Sequence, residues 1–297
     1  MQPHSRTRSL LAGSLGAVML LGLSAPVAGA AQKAPSHPGA SSVVAKVPPK
    51  YHSKGALKVA EDASYAPNEF FAKDGRTIVG MDADLARALA GAMGLRADVV
   101  NASFDAILPG LASGKYDLGI SSFTDTEQRE RIVDFVTYFR AGTAFFEKSH
   151  GAPAVSGLAS LCGLRVAVEK GTTQAVDAQD QSAKCTASGH KAVTVEIFPD
   201  QGSANLALVS GRADVGMADS PLAYYQAKQS HGALKVVGPT YGTAPYGIAV
   251  PKGSGLAPAV LAALKYLMGN GAYKAILDKW GVSNGAISNP VIDGAQS

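Results

Sequence analysis

The sequence has 297 residues, 46% of them hydrophobic, and a formal net charge of only +4. This apolar content can bury one large core or two ordinary ones, which excludes a disordered chain. The charges are spread without basic runs or interleaved aromatic residues, so the composition gives no indication of nucleic-acid binding. We therefore expect a globular protein without a nucleic-acid partner.

The first thirty residues have the pattern of an export signal. Arg6 and Arg8 precede an apolar run over residues 10–23, and small residues follow, ending in the A-x-A sequence of residues 28–30. The pattern predicts a signal peptide over residues 1–30; an uncleaved membrane anchor is the alternative, because the run is near the short end of spanning length. No cysteine follows the run, so we expect export to an extracellular, periplasmic or cell-wall space without a lipid anchor.

The two cysteines of the chain, Cys162 and Cys185, both lie well beyond the signal. In an oxidising compartment such a pair persists as a disulfide, which we expect here. The alternatives are two buried free thiols or a metal or nucleophile role, and the lack of nearby histidines disfavours the chemical roles. We expect neither a metal nor a cofactor.

Strands and helices alternate from residue 55 onward. The preceding residues 31–54 are rich in Ala, Pro, Ser and Lys and lack apolar periodicity, which predicts a disordered tether. The first series then contains predicted strands at residues 57–61, 96–100 and 117–121 and predicted helices at residues 82–93 and 104–113. This alternation is typical of an α/β fold, in which helices cover a sheet.

A second alternating series follows residue 142. Its predicted strands are residues 165–169, 193–198 and 215–219, and its predicted helices are residues 172–183, 203–210 and 221–229. A strand at residues 246–250 and helices at residues 259–268 and 272–280 complete the chain. Residues 286–297 are predicted to form a disordered tail.

The two series contain a short repeat. Residues 114–121 (GKYDLGIS) resemble residues 211–218 (GRADVGMA), and each segment places Gly, a cation and Asp before a short apolar strand. The repeat predicts two related α/β lobes, although a chance similarity is the alternative for so short a motif.

Hydroxyl groups and an arginine follow the predicted strand 117–121. Ser121, Ser122, Thr124 and Arg129 could together bind a carboxylate, because arginine can hold one through two parallel charge-assisted hydrogen bonds. The alternative is that Arg129 is a solvated charge and that the serines cap a helix.

Two further polar positions lie at strand ends of the second series. Thr172 and Thr173 stand between a strand and a helix, where hydroxyls and backbone N–H groups can bind an anion. Asp219 ends the strand 215–219, on the side where open α/β sheets bind ligands, and could pair with an ammonium group. An ordinary N-cap is the alternative for each of these residues.

Three residues could form the walls of a site. Tyr65 and Phe104 each follow a predicted strand and could sandwich the aliphatic part of a ligand or lie under a cation. Asp62 lies just before Tyr65 and could favour a basic group. Core packing is the alternative for Phe104, and solvation is the alternative for Asp62.

Taken together, these segments resemble the family 3 extracellular solute-binding proteins of amino-acid importers. The resemblance covers the chain from about residue 55 to about residue 281. The motifs that carry it are residues 62–67 (DASYAP), 80–86 (GMDADLA), 104–111 (FDAILPGL), 113–117 (SGKYD), 126–129 (TEQR), 133–135 (VDF), 168–173 (VEKGTT), 218–221 (ADSP), 245–249 (PYGIA), 271–273 (GAY) and 279–280 (KW). One departure is Asn68, followed by Glu69, where the family often has an aromatic residue after the proline.

The resemblance implies a two-lobe fold of the periplasmic-binding-protein type, type II, with two crossing hinge strands near residues 140–144 and 243–247. Lobe 1 would comprise residues 55–141 and 246–285, and lobe 2 would comprise residues 142–245.

The resemblance also implies a role for each site residue. Arg129 would bind an α-carboxylate, with further donors from Ser122, Thr124, Thr172 and Thr173. Asp219 would bind the α-ammonium, Tyr65 and Phe104 would be the stacking walls, and Asp62 would reach the ligand side chain.

The function so implied is capture of a free polar amino acid by hinge closure and its delivery to the permease of an ABC importer. We expect a monomer and no enzymatic activity. One alternative is a dehydratase of cyclohexadienyl substrates on the same scaffold, which is disfavoured because the histidines fall in the tether or in predicted loops. Another alternative is a sensor that docks to a receptor, and the residues leave open whether the ligand is cationic or neutral.

Overall fold

The structure is a computed structural model that describes residues 38–295. The predicted signal peptide, the first residues of the predicted tether and the last two residues of the chain lie outside this range. None of the helices between residues 38 and 295 combines the length and the apolar character needed to cross a membrane.

Ten α-helices and eleven strands make up the described residues. The helices are α1 (Pro38–Val44), α2 (Pro49–Lys54), α3 (Met81–Ala92), α4 (Phe104–Ala112), α5 (Glu127–Glu130), α6 (Thr173–Ala187), α7 (Gln201–Val209), α8 (Ser220–Gln229), α9 (Ala257–Gly269) and α10 (Ala272–Trp280). The strands are β1 (Ala56–Glu61), β2 (Ser64–Tyr65), β3 (Glu69–Phe71), β4 (Ile78–Val79), β5 (Arg96–Asn101), β6 (Leu118–Gly119), β7 (Val133–Lys148), β8 (Arg165–Glu169), β9 (Thr194–Phe198), β10 (Val215–Asp219) and β11 (Leu234–Pro251).

Eight strands form one sheet in the order β5-β1-β6-β11-β7-β10-β8-β9, and β2, β3 and β4 form a small second sheet. Strand β1 is parallel to β5 and β6, and β8 is parallel to β9 and β10. We call β1, β5 and β6 with their helices the first lobe, and β8, β9 and β10 with theirs the second lobe. Parallel neighbours need crossover connections, which explains why helices separate these strands along the chain.

The strands β7 and β11 pair antiparallel over almost their whole length and connect the two lobes. Their register is interrupted at three places, between Val237 and Tyr241, between Tyr241 and Ala244, and between Tyr246 and Gly247. Bulges of this kind bend a strand and increase its twist. The predicted crossing segments, residues 140–144 and 243–247, lie within these two strands.

Helices pack on both faces of each lobe, because neighbouring residues of a strand point to opposite faces. In the first lobe, Val59 packs in a core with residues of α3, α9 and α10, whereas Ala60 packs with α4. In the second lobe, Phe145 packs with residues of α6, whereas Phe146 packs with α7 and α8. The α/β fold class agrees with the prediction, and each lobe has cores of its own.

The two segments of the predicted repeat have the same hydrogen bonds. The carboxylate of Asp117 accepts from the N–H of Lys58 at 2.7 Å, and the N–H of Asp117 donates back to the carbonyl of Lys58 at 2.9 Å. Asp214 forms the same pair of bonds with Arg165, at 2.9 and 2.8 Å. Each aspartate therefore fastens the start of the strand that follows it to the first strand of its lobe.

The structure differs from the predicted tether and from the predicted disordered tail. Helices α1 and α2 occupy residues 38–54, and Val43, Val47 and Tyr51 are buried in the first-lobe core. At the other end, Ile292 forms a bridge with Val136, and the N–H of Gly294 donates to Asp125 at 2.9 Å. A few apolar anchors therefore order segments whose overall composition is that of a linker.

The predicted disulfide is present. Cys162 and Cys185 are bonded, and their Cα atoms lie 5.6 Å apart. The bond joins the segment before β8 to the last turns of α6, beside the second-lobe core.

Candidate ligand-binding site

A cavity lies between the two lobes. Its lining includes all ten residues that the sequence predicts for the site: Asp62, Tyr65, Phe104, Ser121, Ser122, Thr124, Arg129, Thr172, Thr173 and Asp219. Glu69, Glu169 and Gln174 complete it. The predicted residues therefore come together in space, although they span more than half of the chain.

The carboxyl ends of parallel strands position four of these side chains. Asp62 follows β1, Ser121 follows β6 after one intervening residue, Glu169 ends β8, and Asp219 ends β10. Open α/β sheets bind ligands in the crevice outside these strand ends.

The loop after β6 is held in an unusual backbone conformation. Ser122 has φ of 53°, in the left-handed region that residues other than glycine rarely adopt. Its N–H donates to the carboxylate of Asp82 at 2.8 Å, and its Oγ accepts from Nδ2 of Asn68 at 2.8 Å. Thr126, rather than either serine, is the N-cap of α5. The serines therefore belong to a buried network behind the cavity.

The guanidinium of Arg129 lies at the cavity and donates two hydrogen bonds. Both acceptors are backbone carbonyls rather than carboxylates. Nη1 donates to the carbonyl of Thr124 at 2.8 Å, and Nη2 donates across the cleft to the carbonyl of Gly171 at 3.0 Å. The group lies over the rings of Phe104 and Phe123, at 5.4 and 5.7 Å from their centroids. Burial lowers the pKa of Arg129 to about 10, so the group stays cationic at neutral pH.

The carboxylate of Asp219 faces the cavity from the second lobe. It is 7% exposed, and Oδ1 accepts a hydrogen bond from Nε2 of Gln174 at 2.8 Å. Although Asp219 stands at the N-cap position of α8, its side chain does not form the capping bond. Burial raises the pKa of Asp219, and the charge of Arg129 opposes this change.

The threonines of the second lobe have local partners. The hydroxyl of Thr172 donates to the carbonyl of Glu169 at 2.7 Å and accepts from the N–H of Ala175 at 3.2 Å. Thr172 is therefore the N-cap of α6, which confirms the alternative interpretation of this residue. Thr173 follows it in the first turn, where backbone N–H groups point to the cavity end of the helix.

Both predicted wall residues have a packing role as well. Tyr65 is 6% exposed, and its hydroxyl accepts a hydrogen bond from the N–H of Asp219 at 2.9 Å, across the cleft. Phe104 stacks on Phe123 with 4.6 Å between ring centroids. Phe104 therefore packs in the core and also lines the cavity wall.

Four of the thirteen lining residues carry carboxyl groups, and Arg129 is the one cation in the lining. Burial is the first cause that raises the pKa of each of these carboxyls, Asp62, Glu69, Glu169 and Asp219. Removing carboxylates from water is costly unless a cation or a proton compensates them. The cavity therefore has an excess of negative groups that a cationic ligand would compensate.

The sequence did not single out Glu69, Glu169 and Gln174 as site residues. Glu69 lies in β3, and its side chain accepts from Oγ of Ser121 at 2.7 Å, which only the tertiary fold brings near. Glu169 could have been found from its place at the end of a strand, and Gln174 from its place after two threonines. The described residues contain no group of His, Cys, Asp and Glu side chains that could hold a metal ion.

The fold and the cavity define a two-lobe α/β protein with a cavity lined by charged residues at its interlobe cleft. Residues 57–283 match the bacterial extracellular solute-binding proteins, family 3, and the chain belongs to this family. It is 35% identical over 252 residues to the arginine-binding protein ArgT of Corynebacterium glutamicum, covering 84% of this chain and 82% of that one.

Solved structures of amino-acid-binding proteins are also similar to this chain. An ancestral arginine-binding protein bound to glutamine is 37% identical, with a TM-score of 0.69, covering 77% of this chain and 98% of that one. An ancestral amino-acid-binding protein, a precursor of cyclohexadienyl dehydratase, is 34% identical, with a TM-score of 0.68. The match covers 78% of this chain and 97% of that one.

Proposed function

We propose that the protein captures a free amino acid with a cationic side chain, L-arginine in the first place, and delivers it to the permease of an ABC importer. The observation that carries this proposal is the charge of the cavity, whose lining contains four carboxyl residues and one arginine. A zwitterionic amino acid adds no net charge to such a cavity, whereas a cationic side chain compensates one further carboxylate. The arginine-binding relatives support the same class of ligand.

The backbone of the ligand would be bound between the lobes. Arg129 binds the α-carboxylate through charge-assisted hydrogen bonds, with Thr124 and the first turn of α6 as further donors. The predicted donor Ser122 supports this site indirectly, because its N–H donates to Asp82 at 2.8 Å. Asp219 binds the α-ammonium. The rings of Tyr65 and Phe104 contact the aliphatic part of the side chain, and Asp62 lies toward its end.

Closure of the two lobes would be the molecular event that the importer recognises. Besides the bond from the N–H of Asp219 to the hydroxyl of Tyr65, contacts that cross the cleft include Arg129 to the carbonyl of Gly171 at 3.0 Å, Lys170 to Asp105 at 2.7 Å, and the N–H of Gln201 to Oγ of Ser64 at 3.1 Å. A ligand bound by groups of both lobes stabilises the closed state by its higher affinity for that state. The lobe boundaries at residues 141–142 and 245–246 remain the proposed hinge positions.

We further propose that the protein is exported as a monomer. The support is the signal pattern over residues 1–30, the absence of a cysteine after it, and the extracellular character of the family.

A binding screen tests the proposal. Isothermal titration calorimetry and thermal shift with arginine, lysine, ornithine, histidine, glutamine and glutamate should show the tightest binding for arginine and none for glutamate. Ligand at about 100 times Kd should stabilise the protein by about 2.7 kcal/mol. Tight binding of glutamate, or no response to any amino acid, would overturn it.

We propose no catalytic activity, because the same carboxyls are explained by ligand charge. Buried carboxyls with raised pKa values are also what a general acid requires, so a direct assay is needed. Incubation with prephenate and arogenate should give no product above that of the Arg129→Ala variant. Product formation by the unaltered protein alone would show an enzyme.

A further inference from the structure

The carboxyl group of Glu169 is buried and incompletely bonded. The residue ends β8 and is 1% exposed, and its Oε1 has no hydrogen-bond partner. Buried polar atoms in folded proteins nearly always have a partner, so an orphaned carboxylate oxygen that lines a cavity indicates a ligand group.

Acidic groups surround Glu169 on the cavity side. Asp62 of the first lobe lines the same cavity, and the charges of Asp62, Asp200 and Asp219 act on Glu169. The cations nearby have other partners: Lys170 pairs with Asp105 at 2.7 Å, and Arg129 donates to backbone carbonyls. Burial, followed by the charge of Asp62, raises the pKa of Glu169.

We propose that Glu169 and Asp62 form a clamp across the cleft that binds the guanidinium end of the ligand side chain, which makes Glu169 a specificity-determining residue. This rests on the proposed function, in which the ligand is an amino acid with a cationic side chain.

The geometry of the clamp favours guanidinium over other side-chain ends. Asp62 is fixed in place, because its oxygens accept from the N–H groups of Phe104 at 2.9 Å and Ser64 at 3.2 Å. Glu169 approaches from the other lobe. A guanidinium presents five N–H donors in one plane and can serve two carboxylates at once, whereas an ammonium is a compact point charge. A neutral ureido end has the same shape but leaves the pair without a counter-charge.

The test compares L-arginine with L-citrulline, its neutral isostere, and with L-lysine, by isothermal titration calorimetry on the full chain. The unaltered protein should bind arginine most tightly. Glu169→Gln should lose about 30-fold in arginine affinity and less than about threefold in citrulline affinity, so that the arginine-to-citrulline ratio falls about tenfold or more. Asp62→Asn should lower the same ratio.

Asp180→Asn is the matched control, since Asp180 is exposed on α6 and its loss changes the net charge equally. It should leave both affinities unchanged. If the unaltered protein binds arginine and Glu169→Gln keeps the arginine-to-citrulline ratio within about threefold, the clamp is wrong and the proposed function stands. If the unaltered protein binds no cationic amino acid, the proposed function itself fails. Should Glu169→Gln not fold, as judged by its melting curve, the ratio for Asp62→Asn decides.

Discussion

The two lobes share a scaffold but bring different chemistry to the cleft. Asp117 in one lobe and Asp214 in the other fasten their strands with the same pair of bonds. At the cavity the lobes differ, because the first-lobe carboxyls already have protein donors, as Glu69 has from Ser121 at 2.7 Å. Glu169 of the second lobe has an oxygen without a partner. Under the proposed function, the first lobe is preorganised for ligand, and Glu169 of the second lobe gains a partner when ligand binds.

This difference implies an order of events in which ligand meets Arg129 in the open protein and the second lobe then closes over it. Preorganised groups bind without a further ordering cost, whereas groups that gain partners on closure supply the differential affinity that shifts the equilibrium. Each prediction below separates the contributions of the two lobes.

Arg129→Ala should have the largest effect. It leaves the ligand carboxylate buried without its cation, which costs about 3 to 5 kcal/mol, or more than about 100-fold in affinity. Calorimetry with L-arginine measures the loss. The matched control is Arg131→Ala, an exposed arginine two residues away that should bind normally. If Arg129→Ala binds L-arginine as tightly as the control, Arg129 does not bind the ligand carboxylate.

Asp219→Asn should come next, with a loss of about 2 to 3 kcal/mol. The amide keeps an oxygen that can accept from Nε2 of Gln174, now 2.8 Å away, but it removes the charge that pairs with the α-ammonium. Agmatine, which lacks the α-carboxylate, should bind more weakly still to both proteins. Equal arginine affinity of Asp219→Asn and the unaltered protein would place the ammonium elsewhere.

Gly171→Ala should hinder closure rather than ligand contact. Gly171 has φ of +81°, and an added Cβ would lie 2.9 Å from Cβ of Asp105 across the cleft. We expect a loss of about tenfold in affinity and a smaller ligand-induced decrease in the radius of gyration by small-angle X-ray scattering.

The control for Gly171→Ala is Gly189→Ala. Gly189 has φ of +76° in the same lobe, and a Cβ there would meet no atom within 4 Å. The two variants carry similar backbone strain, of about 1 kcal/mol, so a difference in affinity reports closure alone. Equal affinities in the two variants would contradict a cleft that closes at Gly171.

The pH dependence should be the smallest effect and should have opposite signs with and without ligand. Burial raises the pKa of Asp82 to about 6 and raises the pKa of Glu69 as well. Carboxyls with pKa values above those of the unfolded chain make the ligand-free protein lose stability as pH rises from about 4 to about 7. Exposed carboxyls such as Asp98, whose pKa is lowered, change the stability only below this pH range.

Arginine affinity should rise over the same pH range, because a cation binds the ionised form of the cavity carboxyls. Melting temperatures with and without L-arginine at pH 5 and pH 7.5, at matched ionic strength, measure both signs. A ligand-free protein that gains stability between these pH values would contradict the carboxyl assignment.

Local sequence pattern predicted the five- and six-residue strands of the large sheet well, but it missed the short strands β2, β3 and β4 and predicted the two long strands poorly. The predicted strands 165–169 and 215–219 coincide with β8 and β10, since each is a short apolar run between polar turn residues. Strand β7 was anticipated only at its crossing point, and the first half of β11 was missed. Their pairing is set by contacts between segments about a hundred residues apart, which no local window contains.

In the candidate site too, some residues were predictable from local sequence and others depend on contacts between distant segments. Residues at strand ends, such as Asp62 and Asp219, were predictable because parallel α/β sheets place ligands there. Glu69 was not, since its role depends on a fold that returns β3 to the end of β6, 52 residues away in sequence. Helices α1 and α2 were missed because three buried side chains order a segment whose composition is otherwise that of a linker.

A crystal structure of the protein with L-arginine would show the orientation of the ligand in the cleft. We expect the α-carboxylate on the guanidinium of Arg129, the α-ammonium on Asp219, and the ligand guanidinium between Asp62 and Glu169, with the lobes closed as in the present structure. An arginine bound in the reverse direction, or bound to one lobe only with the cleft open, would contradict it.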